Sequence, residues 1–163
     1  MRDRWSLRVA LADDAAAIHA LIVELAIYER EPDAVEVTVD ELREQLASER
    51  PPFECIVAER ADGEIVGMAL YFQSYSTWRG RAGVYLEDLF VRESERGQGI
   101  GRALLSRLAA IAVERGCARL EWAVLNWNAP SIAFYEALGA TALDEWTTYR
   151  LDRDALAALA REG

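Results

Sequence analysis

Apolar and polar positions recur along this chain with a period that switches between two and about three and a half, and each switch marks an element. Trp5 to Leu11 alternates as a strand does. Asp13 or Asp14 can then cap a long helix that places Ile18, Leu21, Ile22 and Leu25 on one face and ends at Glu31-Pro32-Asp33. Thr38 followed by Glu41 has the spacing of a capping box and predicts a short helix to about Ser48. Beyond Arg50-Pro51-Pro52, the stretches Phe53 to Glu59 and Glu64 to Tyr75 predict two strands joined by a turn at Ala61-Asp62-Gly63. Trp78 to Gly83 is polar and bears glycines, so a loop is expected there. Tyr85 to Val91 is the next strand. A central helix from Ile100 to Arg115 comes after it, with Ile100, Leu104, Leu105, Leu108, Ile111 and Ala112 on its apolar side. Arg119 to Leu125 reads as a further strand. Pro130 suits the first turn of another helix and Gly139 its end. A strand to about Leu151 and a final helix capped by Asp152 complete the order.

Strands interleaved with helices in this order describe an α/β mixed sheet with helices on both faces. The 163 residues suit one domain spanning 1–163, since a chain of this length buries roughly 70% of its unfolded surface. No window reaches the roughly 18 apolar residues of a membrane span, and no basic start leads into an apolar run, so a soluble, unexported, cytoplasmic protein is expected. The net charge is -10, with 28 acids against 18 basic residues that are all arginine. Such a balance repels nucleic acid and anionic membrane, and suits a cationic partner. Cys55 and Cys117 are too few for a disulfide framework and lack metal-ligand spacing; His19, the one histidine, reads as structural, and no metal is expected.

The chemistry concentrates in Tyr85 to Gly101, YLEDLFVRESERGQGIG, where an apolar strand runs into a glycine turn that opens a helix. Gly97, Gly99 and Gly101 remove side chains that would keep backbone NH groups from an anion, and Arg96 stands beside them. A P-loop needs a lysine, and the chain has none. A dinucleotide fingerprint would find its acid at Glu121, but Arg102 occupies the third glycine position. A turn that merely joins strand to helix is the remaining structural reading. In the strand itself, Glu87 and Asp88 are consecutive acids that alternation would send to opposite faces, so one of them is expected to enter a cavity, unless one lies at an exposed edge and the other in an ion pair.

The spacing Arg96-x-x-Gly99-x-Gly101 resembles the acyl-CoA signature of the GCN5-related N-acetyltransferases (GNAT), and Asn126 to Tyr135, NWNAPSIAFY, resembles that family's second block. Within the superfamily the likeness is to the diamine acetyltransferases, the group that includes the spermidine/spermine and thialysine N-acetyltransferases. It is carried by LIVELAIYE at Leu21 to Glu29, YLEDLFV at Tyr85 to Val91, RGQGIG at Arg96 to Gly101 and WNAPSIAFYE at Trp127 to Glu136. The resemblance implies a mostly antiparallel central sheet, acetyl-CoA as co-substrate, a small cationic amine as acceptor, direct transfer, and a homodimer. It implies that Arg96, Gly97, Gln98, Gly99, Ile100, Gly101 and Arg102 hold the pyrophosphate. Leu89 and Val91 would pair with the pantetheine through their backbone, with Asn128 and Tyr135 also on the cofactor. Glu87 is implied as the base and Tyr135 as the acid, a task that a phenol of pKa near 10 suits. Glu29, Trp78, Glu87, Asp88 and Trp146 are implied to line the amine pocket. The segment between Gly139 and Trp146 is shorter than in the spermidine/spermine enzymes, and the resemblance does not decide whether Asp144 or Glu145 takes the place of their acidic residue. Two further readings stand beside this one: an acyl-CoA-binding module without turnover, and an acetyltransferase for another amine such as an amino acid or a protein N-terminus.

Overall fold

The computed structural model describes residues 4–163. Two compact units divide them after Leu125. The first carries a five-stranded sheet in the order β1-β2-β3-β4-β5. Its strands are β1 (Trp5–Val9), β2 (Glu54–Arg60), β3 (Ile65–Ser76), β4 (Arg81–Val91) and β5 (Leu120–Trp122), with helices α1 (Ala15–Tyr28), α2 (Val39–Ala47) and α3 (Ile100–Glu114). The first four strands pair antiparallel and β5 joins β4 in parallel, so the mixed, mostly antiparallel sheet is the one expected. Among the described residues no helix is long and apolar enough to cross a membrane.

Period two sorts the side chains of this sheet into two cores. Cys55, Val57, Met68, Leu70 and Phe90 share one face and pack with Ala15, Ile18 and Leu21 of α1 and Leu42 of α2. Gly67, on the alternate positions of β3, faces α3: a Cβ there would lie 3.2 Å from the Phe90 carbonyl oxygen and 3.3 Å from Ile100 Cγ2. Buried Ile100, Leu104, Leu105 and Leu108 supply the helical side of this second core. The α2 capping box forms as the spacing predicted, with Glu41 NH donating to Thr38 Oγ1 (3.1 Å) and Thr38 NH to Glu41 Oε2 (2.9 Å). At α1, Asp14 stands at the cap position but makes no side-chain cap bond. The Arg8 guanidinium takes its carboxylate instead, at 2.7 and 2.9 Å, and holds the Asp14 carboxyl below the usual range.

The hairpin between β3 and β4 differs from the expected loop at Trp78 to Gly83. Gly80, at φ +63°, makes the turn with its NH on the Ser76 carbonyl (2.8 Å), and β4 has begun by Arg81. Gly83 belongs to the strand because a Cβ there would sit 2.6 Å from Ser74 Oγ across the ladder. Its lack of a side chain permits close strand approach and does not mark a loop.

The second unit, Asn126–Gly163, carries α4 (Ala129–Ala137) and α5 (Arg153–Ala160). Pro130 lies in the first turn of α4, and Gly139, at φ +90°, comes just after its end, both as expected. The strand expected up to Leu151 does not form: residues 141–151 are exposed and carry no ladder. Alternation supplies a strand's faces but not its partner, and within this unit no second strand is present to complete the hydrogen bonds. β5 is likewise shorter than the stretch Arg119 to Leu125 that the pattern favoured.

Candidate active site

The glycine turn forms as its residues dictate. Arg92 NH bonds the Val66 carbonyl (2.8 Å) where β4 ends, and a single 3-10 turn at Glu93–Glu95 delivers the chain to Arg96. Gly97 and Gly99 then adopt φ of +83° and +82°, a left-handed conformation costing a side-chain-bearing residue roughly 1–2 kcal/mol. Gly99 caps α3 without any side-chain hydrogen bond, and the first bond of the helix runs from Ala103 NH to the Gly99 carbonyl (3.0 Å). The NH groups ahead of Ala103 are therefore not consumed by the helix. A Cβ at Gly97 or Gly99 would meet nothing within 4 Å, so there is room beside those NH groups for a ligand. Backbone donors, positive dipole and open space together fit the pyrophosphate of a coenzyme A thioester.

Beside this turn β4 has an open edge. Its pairing with β5 covers Val84, Leu86 and the Tyr85 between them, and ends there. The backbone of residues 88–91, which includes Leu89 and Val91, has a strand partner on the β3 side only among the described ladders. Unpaired strand edge is where an amide-bearing chain adds most readily, and pantetheine is such a chain.

The opening begins at a register shift. Leu70 faces Asp88 and Tyr71 faces Leu86, which leaves Glu87 with no partner on β3. This bulge turns the exposed Glu87 out of the ladder and cancels the simple alternation expected for the two acids. Asp88 stays in the ladder, in the row Cys55, Leu70, Asp88, on the face packed by α1 and α2. Burial, with the charges of Glu87 and Glu29 added, pushes the Asp88 carboxyl up to about 6. Glu29, at the C-cap of α1, is half-buried and its carboxyl is raised by the same desolvation. The structure thus brings Glu29, Glu87 and Asp88 together. Trp78 is not with them in the core of the sheet; it stands 89% exposed at the β3–β4 hairpin.

A carboxylate held near pH 6 in the fold has a stability consequence. Between about pH 4 and 6 the folded chain keeps a proton that unfolded Asp88 has released, so stability falls as pH rises through that window. The shift from 3.8 to about 6 is on the order of 3 kcal/mol. Asp88→Asn is therefore expected to unfold at a higher temperature than the parent at pH 7, with the gap closing below pH 4; thermal melts across pH 3.5 to 7.5 measure it.

Arg96 is placed differently from a bare charge at the turn. Its Nε donates to the Val91 carbonyl (2.9 Å), and the guanidinium carbon lies 5.2 Å from the Tyr28 ring centroid and 5.4 Å from that of Phe90. No periodicity could have revealed this, because residues 28, 90 and 96 meet only through the packing of α1 on the sheet. Gln98, the exposed residue between the two left-handed glycines, donates from Nε2 to Glu95 Oε2 (2.9 Å), and Glu95 in turn accepts from Arg60 (3.0 Å). The turn is thereby tied to the end of β2.

In the second unit, Asn128 is buried and its Oδ1 accepts from Ser131 NH (3.4 Å), the N-cap of α4. Tyr135 is half-buried on the same helix, its ring centroid 5.6 Å from that of Phe134. Trp146 is 70% exposed. Among the described residues, no group of three His, Cys, Asp or Glu side chains is arranged to hold a metal ion.

A strand edge open beside a glycine turn whose NH groups the helix does not use is an arrangement that a coenzyme A thioester fits. The chain belongs to the acetyltransferase (GNAT) family, whose model matches residues 15–140. It is 42% identical to the thialysine N-epsilon-acetyltransferase of Bos taurus, over 94% of this chain and 96% of that protein. It is 36% identical to the spermidine/spermine N(1)-acetyltransferase-like protein 1 of Homo sapiens, over 98% of this chain and 24% of that protein. Among solved structures, an integron cassette protein from the mobile metagenome of V. cholerae superposes with a TM-score of 0.81 at 28% identity, covering 97% of this chain and 98% of the other. The protein is an acetyltransferase, as the sequence resemblance implied.

Proposed function

We propose that this acetyltransferase moves the acetyl group of acetyl-CoA to a primary amine on a small cationic acceptor, a diamine, polyamine or thialysine-like amino acid. The observation that carries this reading is the grouping of Glu29, Glu87 and Asp88 where β4 opens beside the glycine turn. Burial and the charges of Glu87 and Glu29 make ionised Asp88 costly to keep, and an alkyl diammonium would offset that cost. The relatives named for thialysine and for spermidine/spermine support the same class of acceptor.

In this reading the NH groups and side chains of Arg96, Gly97, Gln98, Gly99, Ile100, Gly101 and Arg102 hold the pyrophosphate. Leu89 and Val91 pair with the pantetheine amides, and Asn128 and Tyr135 are assigned to the cofactor as well. Bound acetyl-CoA supplies an activated acyl carbon. A backbone NH near Leu89 polarises its carbonyl, Glu87 accepts the ammonium proton directly or through water, and Tyr135 donates a proton to the sulfur. Asp88 and Glu29 anchor the acceptor's charge while Trp78 and Trp146 offer it aromatic faces.

Thiol release from acetyl-CoA, assayed in parallel with spermidine, spermine, putrescine, thialysine, lysine and an N-terminal peptide, tests the assignment. Turnover with a polyamine or thialysine is the expected result. Turnover with the peptide alone would discard the pocket assignment, and silence throughout would leave only acyl-CoA binding. The reading also includes a cytoplasmic homodimer, for which a solution mass of twice 18.2 kDa is expected in sedimentation.

A further inference from the structure

Arginine is the only cationic side chain besides the single histidine in this acidic chain, and several arginines are matched to acids. Arg8 pairs with Asp14 and Glu59, Arg60 with Asp62, Glu64 and Glu95, Arg92 with Glu24 and Glu64, and Arg115 with Glu54. Arg96 is not. Among the described residues its guanidinium has no carboxylate partner, and its one hydrogen bond, from Nε to the Val91 carbonyl, leaves the two terminal nitrogens without a protein acceptor. Aromatic faces hold it instead. Tyr28, the last residue of α1, and buried Phe90 of β4 each place a ring within about 6 Å of the cation, the range in which the ring quadrupole attracts it.

The arrangement matters because the backbone bonds here fix the chain but not the guanidinium: Arg96 NH bonds the Glu93 carbonyl (3.2 Å), and the next residue, Gly97, has no side chain to pack beside the cation. An unrestrained arginine at such a position loses rotamer freedom when it captures an anion, and that loss weakens binding. A guanidinium already docked on two rings, with Nε occupied and its terminal NH2 groups unused, has already lost that freedom.

We infer that Tyr28 is a positioning residue for the cofactor's pyrophosphate, acting through Arg96. The inference rests on the assignment of the glycine turn to acetyl-CoA and goes beyond it, because Tyr28 lies on α1 and meets the turn through the Arg96 side chain. It also ties the two halves of the site together: Glu29, the adjacent residue, stands with Asp88 on the acceptor side.

The test compares acetyl-CoA with S-acetylpantetheine, which carries the same thioester but no pyrophosphate. The ratio of kcat/KM for the two thioesters in the wild-type chain measures what the pyrophosphate contributes. Tyr28→Leu is expected to lower kcat/KM for acetyl-CoA about fivefold, through KM, while leaving S-acetylpantetheine within about twofold of wild type, an effect sized from the strength of a partly exposed cation–π contact. Tyr28→Phe, which keeps the ring, is expected to restore the ratio. In the background of Arg96→Ala, Tyr28→Leu should change the ratio no further. An unchanged ratio in Tyr28→Leu, or an equal loss with both thioesters, overturns the inference. If Arg96→Ala itself leaves the ratio unchanged, the assignment of the pyrophosphate to this turn fails as well, so the two failures are told apart. Should Tyr28→Leu not fold, Tyr28→Met reads the same ratio.

Discussion

Tyr135→Phe is expected to lower kcat by about a hundredfold or more while leaving the KM for acetyl-CoA within about twofold, as removal of a proton donor used only in the chemical step does. A phenol with pKa near 10 is protonated at neutral pH, and a thiol of pKa near 8.5 leaves as a base that the phenol can neutralise at small thermodynamic cost. The substitution keeps the ring beside Phe134, on a helix whose N-terminus is capped by Asn128 and carries Pro130 in its first turn. Steady-state kinetics with acetyl-CoA varied at saturating amine separate the two parameters. A kcat equal to wild type would remove Tyr135 from the acid role. A rise in KM with kcat unchanged would make its hydroxyl a cofactor contact instead.

Much of this fold was legible from spacing, and the exceptions share a cause. The capping box at Thr38, the helix stop at Gly139 and the left-handed turn at Gly99 are decided by residues within a few positions of one another, and each formed as its residues predict. The bulge at Glu87 was not legible. Two adjacent acids announce a conflict with alternation, but which of them leaves the ladder depends on how β3 registers against β4, a contact between distant segments. Gly83 misled for a related reason: a glycine that opens a loop and a glycine that admits Ser74 across a ladder look alike until the partner strand is placed. The strand expected before Leu151 had the right periodicity and lacked a partner. At the candidate site, the glycine turn, Glu29 and the acidic pair were singled out by residue type and resemblance. Tyr28 and Phe90 were not found as a brace for Arg96, because a lone tyrosine at a helix end and a strand phenylalanine carry no signal of what they touch.

The division of labour between the two acids of β4 comes from the bulge, and it gives Glu87→Gln a pH signature. Glu87 is exposed and unpaired in the ladder, so an isosteric amide there should cost no stability, and it removes one of the charges that raise the Asp88 carboxyl. An alkyl ammonium with a pKa near 10.4 is neutral in only about one molecule in 2,500 at pH 7, so a site that lacks its base must wait for the rare free amine. Loss of the base is expected to reduce kcat/KM about a hundredfold at pH 7, with the residual rate climbing roughly tenfold per pH unit toward pH 10 as solution does the deprotonation. Asp88 sits in the ladder with its carboxyl near pH 6, and its amide variant should act mainly on the amine KM, with the wild-type amine KM itself falling as pH rises through about 6 and the anchoring charge develops. Initial rates for both variants from pH 5.5 to 10 with one polyamine decide the matter. A hundredfold kcat loss in Asp88→Asn with Glu87→Gln near wild type would exchange the two roles, making the buried carboxylate the base and the bulged one the anchor.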